Sequence, residues 1–336
     1  MSEATEPPKE VSGTETPGTE STDALFTVVA GEGDGFLLGM AAGDTAGGAW
    51  DLGYSATTEQ ATVIAYELIA DGRVDLDRMV AALLEMEGVD GEEPVFRAES
   101  PEFRGWLDRA RTGRIAAGSE PSLDAAARAT VLGVAFRLDP ASLVSETIAL
   151  GRLFHDDAAT VAGGVVAAAA VAASCFAQSG LDLVAGVGET VELVAGKMTD
   201  LRGASRLESL HDEIRALIPH VGVFTAEEAM TAVGGDRADP LQVVLAGVLL
   251  AAPVAPRHHV AIAEAAGLEG SRLGAIVGAI VGARVGIRAW PWAFANDTWF
   301  AEIGRRLVRG PNETSDLPIP YAVEQHLMSG GRPGFH

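Results

Sequence analysis

Cysteine is nearly missing from this sequence: Cys175 is the only one, so no internal disulfide can form. A reducing compartment, the cytoplasm, is the expected location. Aromatic side chains make up only 6% of the chain, and alternating β-branched runs are scarce. With Ala and Gly in excess, these shortages favour an all-helical protein with small residues at its closest helix contacts. Positive charge is also short, 24 Lys and Arg against 47 Asp and Glu, a net charge of −23. So acidic a surface repels nucleic acid and anionic membrane, which removes both as expected partners. No basic segment followed by an apolar one opens the chain, so no signal peptide is expected. Long apolar runs are wanting too. Stretches 161–176 and 241–256 are mostly Ala, Gly and Val, and Pro253 and Pro256 break the second. Arg284 interrupts the run from Leu273 short of the roughly 20 residues a membrane span needs. The expectation is a soluble protein.

What the chain has in quantity is glycine at helical spacing. In 267–286, Gly274, Gly278, Gly282 and Gly286 recur every fourth residue and form one bare seam on a helix. Ile276, Val277, Ile280 and Val281 make its other faces apolar, as suits the middle of a bundle. Each interior Gly costs about 0.5–1 kcal/mol relative to Ala, so four in register need close approach by another backbone. Gly35, Gly39 and Gly43 repeat the spacing near the start of the chain, which makes that helix a candidate partner. The start of the central helix, Glu269-Gly270-Ser271-Arg272, then points amide donors and a positive dipole end into the molecule, where a ligand site is expected.

In chain order, residues 1–24 are Glu, Thr, Ser, Pro and Gly with almost no large apolar side chain, and read as a disordered acidic tail. One folded unit is expected over 25–309, and 310–336 reads as an irregular extension. Asp44, a charge inside an apolar helix, is either a carboxylate accepting bonds from a neighbouring helix start or a site residue. Ser55, Thr57 or Thr58 should cap a helix over 59–70. Further helices are expected over 75–87, 101–112, 123–136, 140–153, 158–177, 181–201, 206–218, 226–233, 239–252, 257–266 and 297–308. Arg128 is a lone charge in an Ala-rich run. His155-Asp156-Asp157 stands where its acids can cap the helix from Ala158.

These motifs, in this order, resemble the ADP-ribosylglycohydrolase family, which includes the dinitrogenase-reductase-activating glycohydrolases and related crystallins. Gly43-Asp44-Thr45-Ala46-Gly47 matches its Gly-Asp-x-x-Gly, and the 128–133 segment resembles its Arg-x-x-Pro-Leu-Gly with Val131 for the proline. His155-Asp156-Asp157 resembles its His-Asp-Asp, 267–286 its closing motif and Trp290-Pro291 the turn after it. The similarity runs over roughly 30–305. It implies an all-α orthogonal helical bundle and, in the family, hydrolysis of N- or O-glycosidic ADP-ribose bonds with a pair of Mg²⁺ ions.

The departures from the pattern bear on function. Mg²⁺ needs several oxygen ligands, usually carboxylates among them. The family's Thr-Asp-Asp-Thr element becomes Ser55-Ala56-Thr57-Thr58, and its Gly-Gly-Asp-Thr-Asp-Thr element becomes the 267–272 segment, which keeps Glu269 and gains Arg272. Asp51 stands where many members carry a glutamate beside the substrate. A binuclear Mg²⁺ site is therefore not expected, and no other cofactor is called for. The first expectation is a catalytically degenerate member that binds ADP-ribose or a related phosphate-bearing ligand through Ser55, Thr57, Thr58, Asp156, Ser271 and Arg272. The second is a hydrolase of altered, metal-independent mechanism with Asp51 or Glu269 as general base. The third is a structural or interaction protein with a closed site, in which Arg272 pairs with Glu269 or Asp44.

Overall fold

The computed structural model describes residues 35–48, 53–88, 95–223, 225–253, 258–287, 290, 295–311 and 314–329. The acidic tail, Asp51 and the Pro291 turn lie outside them. Helices, short 3₁₀ turns and loops make up the described residues, with two isolated β-bridges and no sheet, so the fold is all-α as expected. Among the described residues no helix is long and apolar enough to cross a membrane.

The two glycine seams meet. Helix α1 (35–47) lies along the C-terminal half of α12 (His258–Val285), with Gly35, Gly39 and Gly43 facing Gly282, Gly278 and Gly274. A Cβ on any of these six would fall closer than 3.0 Å to backbone of the other helix. Backbone therefore packs on backbone, which is the reason the sequence tolerates so many helix-weakening residues there. On its other sides α12 meets α11 (Pro240–Ala251), α5 (Asp124–Ala135) and α7 (Ala158–Ser174). Helix α7 is Ala, Gly and Val almost throughout and nearly all buried. Its lack of large side chains lets α5, α6 (Pro140–Phe154), α8 (Gly180–Val191) and α11 pack around it.

Helix α12 is one helix by hydrogen bonding but carries a break: Glu269 has φ −137° and Gly270 has φ +67°. Only glycine adopts the second value without strain. The break restarts the helix at Ser271, so a helix start stands at the residues the sequence pointed to, half-buried at the surface of the bundle and not inside it.

Two regions differ from expectation. Helix α8 stops at Val191, and α9 (Leu210–Ala216) is shorter than the 206–218 expected. Between them Gly196 and Gly203 take φ of +75° and +77°, left-handed turns that no helix can continue through. The segment read as an irregular extension instead holds α14 (Pro320–Met328), with Val323, Glu324 and Leu327 buried. Its short amphipathic pattern is weak in sequence, and what fixes it is tertiary. Glu324 accepts from Tyr54 Oη at 2.8 Å and from Arg97 at 2.8 Å, while Arg97 also binds the buried Glu59. Asn296, just ahead of α13 (Asp297–Arg309), donates to Tyr54 Oη at 2.6 Å.

Candidate functional site

The site is built outward from the end of α1. Asp44 is fully buried there and accepts from Ser55 N at 2.9 Å, Ser55 Oγ at 2.8 Å and Thr58 Oγ1 at 2.8 Å, with Thr58 N at 3.3 Å. It therefore caps α2 (Ala56–Asp71) from a neighbouring helix, the first of the two roles open to it. Burial raises its carboxyl above the ordinary value, and the Ser55 and Thr58 donors pull against that rise. Ser55 and Thr58 thus direct their polar groups at Asp44. Thr57 N donates to Ser55 Oγ at 3.2 Å, and Thr57 itself is half-buried.

One turn beyond Asp44, Gly47 presses on the α12 break, where an added Cβ would collide with the backbone of Gly270 and Ser271. Glu269, Ser271 and Arg272 are half-buried at this junction. Arg272 turns away from Glu269 and Asp44: its Nε pairs with Asp124 Oδ1 at 2.8 Å. The expected partners are corrected by this contact, and the physical reason is position. Asp124 opens α5 beside the restart of α12, whereas Asp44 is already saturated by α2. The other Asp124 oxygen accepts from Ser100 Oγ at 2.6 Å.

Asp124 also lines a cleft of about 510 Å³, together with Trp106, Arg128, Phe154, His155 and Asp156. Arg128, four residues along α5, is buried. It donates through Nη1 to Gln60 Oε1 at 2.6 Å, and its Nη2 lies 2.9 Å from His155 Nε2. Its guanidinium lies 3.9 Å from the centre of the Phe154 ring. Burial and the Arg128 charge push His155 down to about 3, so the imidazole is neutral and Nε2 accepts from the arginine. Burial also lowers Arg128 itself, to about 10, with Asp124 opposing the shift. Asp157 caps α7 by accepting from Thr160 N at 2.9 Å, as expected of the acidic pair, and leaves Asp156 half-exposed on the cleft wall near Arg202.

Of the residues singled out in sequence, the structure gathers Ser55, Thr57 and Thr58 at the α1 end, Ser271 and Arg272 at the break, and Asp156 in the cleft. Asp51 lies outside the described residues. Asp124, Gln60 and Ser100 were missed. Asp124 carried a signal, an acid at the start of an Ala-rich helix and four residues before a lone arginine, but capping accounts for that pattern equally well. Among the described residues, no three His, Cys, Asp or Glu side chains are grouped to hold a metal ion.

A sequence model of the ADP-ribosylglycohydrolase family matches residues 33–316. Among solved structures, one titled an ADP-ribosylglycohydrolase-related protein complex is similar at a TM-score of 0.61 and 18% identity, covering 84% of this chain and 99% of that one. That likeness shows a shared fold. No curated protein matches the sequence.

Proposed function

Because this chain belongs to the ADP-ribosylglycohydrolase family, we propose that it uses the cleft to bind ADP-ribose or a related phosphate-bearing ligand without Mg²⁺, as a catalytically degenerate member. The observation that carries this reading is Arg272, which stands in the element where the resemblance places metal-ligating acids and is held there by Asp124 at 2.8 Å. At an effective dielectric near 20, a guanidinium about 5 Å from a divalent cation is repelled by roughly 7 kcal/mol. The other element offers hydroxyls in place of carboxylates, and Ser55 and Thr58 point theirs at Asp44. The donor set therefore does not fit a pair of Mg²⁺ ions. What supports binding is a cleft of ligand size with cationic and hydrogen-bonding side chains on its floor.

Calorimetric titration of ADP-ribose, in EDTA and in Mg²⁺, tests the reading. The expected result is equal affinity in both conditions and at least tenfold weaker binding by Arg272→Ala, which strands the Asp124 charge beside the cleft. Binding that requires Mg²⁺ would restore the metal-dependent family chemistry. No binding in either condition would leave the family fold without its ligand.

A further inference from the structure

We propose that the anion seat of the cleft is the Arg128 guanidinium on its floor, and that it takes a single oxyanion such as one phosphoryl group. The proposal rests on the ligand-binding reading above but assigns the charge contact to a different residue from the helix start at Ser271 and Arg272.

Arg128 and Arg272 share one carboxylate, Asp124, whose oxygens are taken by Arg272 Nε and Ser100 Oγ. The cluster is left with one net positive charge. Arg128 carries it: only 3% of its surface is exposed, and its hydrogen-bond partners, Gln60 and His155, are both neutral. Its Nε has no hydrogen-bond partner among the described residues. A buried cation with an idle donor is costly unless something neutralises it. The drop of Arg128 to about 10 expresses that cost. Phe154 and Phe103, 3.9 Å and 5.9 Å from the guanidinium, hold it in place through their ring faces and offer no countercharge.

The cleft is where the missing charge can enter, since Arg128 lines it. Its mouth is net acidic: Glu102, Glu120 and Asp156 line it with Arg109, and Arg202 lies 3.5 Å from Asp156. An acidic rim over a cationic floor weakens the binding of a free anion without barring it from the floor, so inorganic phosphate reads the seat at reduced affinity. The arrangement suits a ligand that delivers one oxyanion inward and keeps a neutral or cationic part at the rim.

The test uses inorganic phosphate and ADP-ribose, titrated into the full chain at constant ionic strength by calorimetry. Three variants change the floor charge: Asp124→Asn adds one positive unit, while Arg272→Ala and Arg128→Met each remove one. A unit charge about 6 Å away at an effective dielectric near 40 changes an anion's affinity about tenfold. Phosphate should therefore bind Asp124→Asn about tenfold tighter than the parent, and Arg272→Ala about tenfold weaker. Arg128→Met should abolish binding; should that variant not fold, the other two still order the affinities. Phosphate that fails to bind, or binds without that order, overturns the seat. ADP-ribose binding with the phosphate order absent would leave the ligand reading standing and move the contact elsewhere. Phosphate binding in the expected order with no ADP-ribose binding would do the reverse.

Discussion

Gly278→Ala and Gly267→Ala place the same methyl group on the same kinked helix and should shift stability in opposite directions. At Gly278 the methyl would lie 2.7 Å from the carbonyl carbon of Gly39, closer still to its oxygen, and 3.3 Å from Gly43 N. Carbon contacts settle at about 3.5–4.0 Å, so α1 and α12 must part by roughly 1 Å. Both sides of the seam are backbone, and no side chain can rotate away. A gap of that size forfeits up to about half of each dispersion contact beside it, and overpacking typically costs about 1–3 kcal/mol. The helix-propensity gain of Ala over Gly returns about 0.5–1 kcal/mol. The net loss should be about 1–2 kcal/mol. At Gly267 nothing lies within 4 Å of the added carbon, so propensity acts alone and stability should rise by about 0.5–1 kcal/mol. With unfolding entropy of about 2.1 cal/mol/K per residue over roughly 280 folded residues, each kcal/mol moves the melting temperature by roughly 2 °C. Scanning calorimetry should then show Gly278→Ala melting about 2–4 °C lower and Gly267→Ala about 1–2 °C higher. A Gly278→Ala protein at least as stable as the parent would refute the backbone-to-backbone seam.

Position 44 should tolerate an amide far better than an aliphatic side chain. Asp44→Asn keeps one acceptor for Ser55 N and Thr58, at a cost of about 1 kcal/mol, whereas Asp44→Leu strands buried donors at a cost of about 3 kcal/mol or more, read by chemical denaturation. Equal losses for both would mean the charge itself, and not the cap, is what matters there. The buried pair Glu59 and Glu324, both raised above the ordinary glutamate value by burial around the shared Arg97, makes stability depend on pH. The folded state holds their protons more tightly than the unfolded chain. Their contribution is therefore fully present below 4.5, the ordinary value, and is lost as pH rises through the raised folded values. Glu324→Gln should lessen that loss, and denaturation midpoints that fall as steeply with rising pH in the variant as in the parent would contradict the assignment.

Much of this architecture was legible because its signals are local or periodic. The glycine spacing at 35–43 and 274–286 announced two bare seams, and two such seams in one chain have few ways to be satisfied other than by each other. The cap at Ser55, the acids before α7 and the helix start at Ser271 followed from residue type and position alone. Helix α14 was not legible, since its reason for folding is an ion pair with Arg97, more than two hundred residues away in sequence. The same holds for Asp124, whose importance comes from meeting Arg272 across the bundle.

The sequence by itself determined the class of fold and the pairing surface of its central helices. Composition, period and motif order contain that information without coordinates. The tertiary structure alone decided where the charges go. It saturated Asp44 with the start of α2, turned Arg272 onto Asp124 and left Arg128 buried beside neutral partners on the floor of a cleft. Charge pairing depends on distances between helices, and those distances follow from how the whole bundle packs.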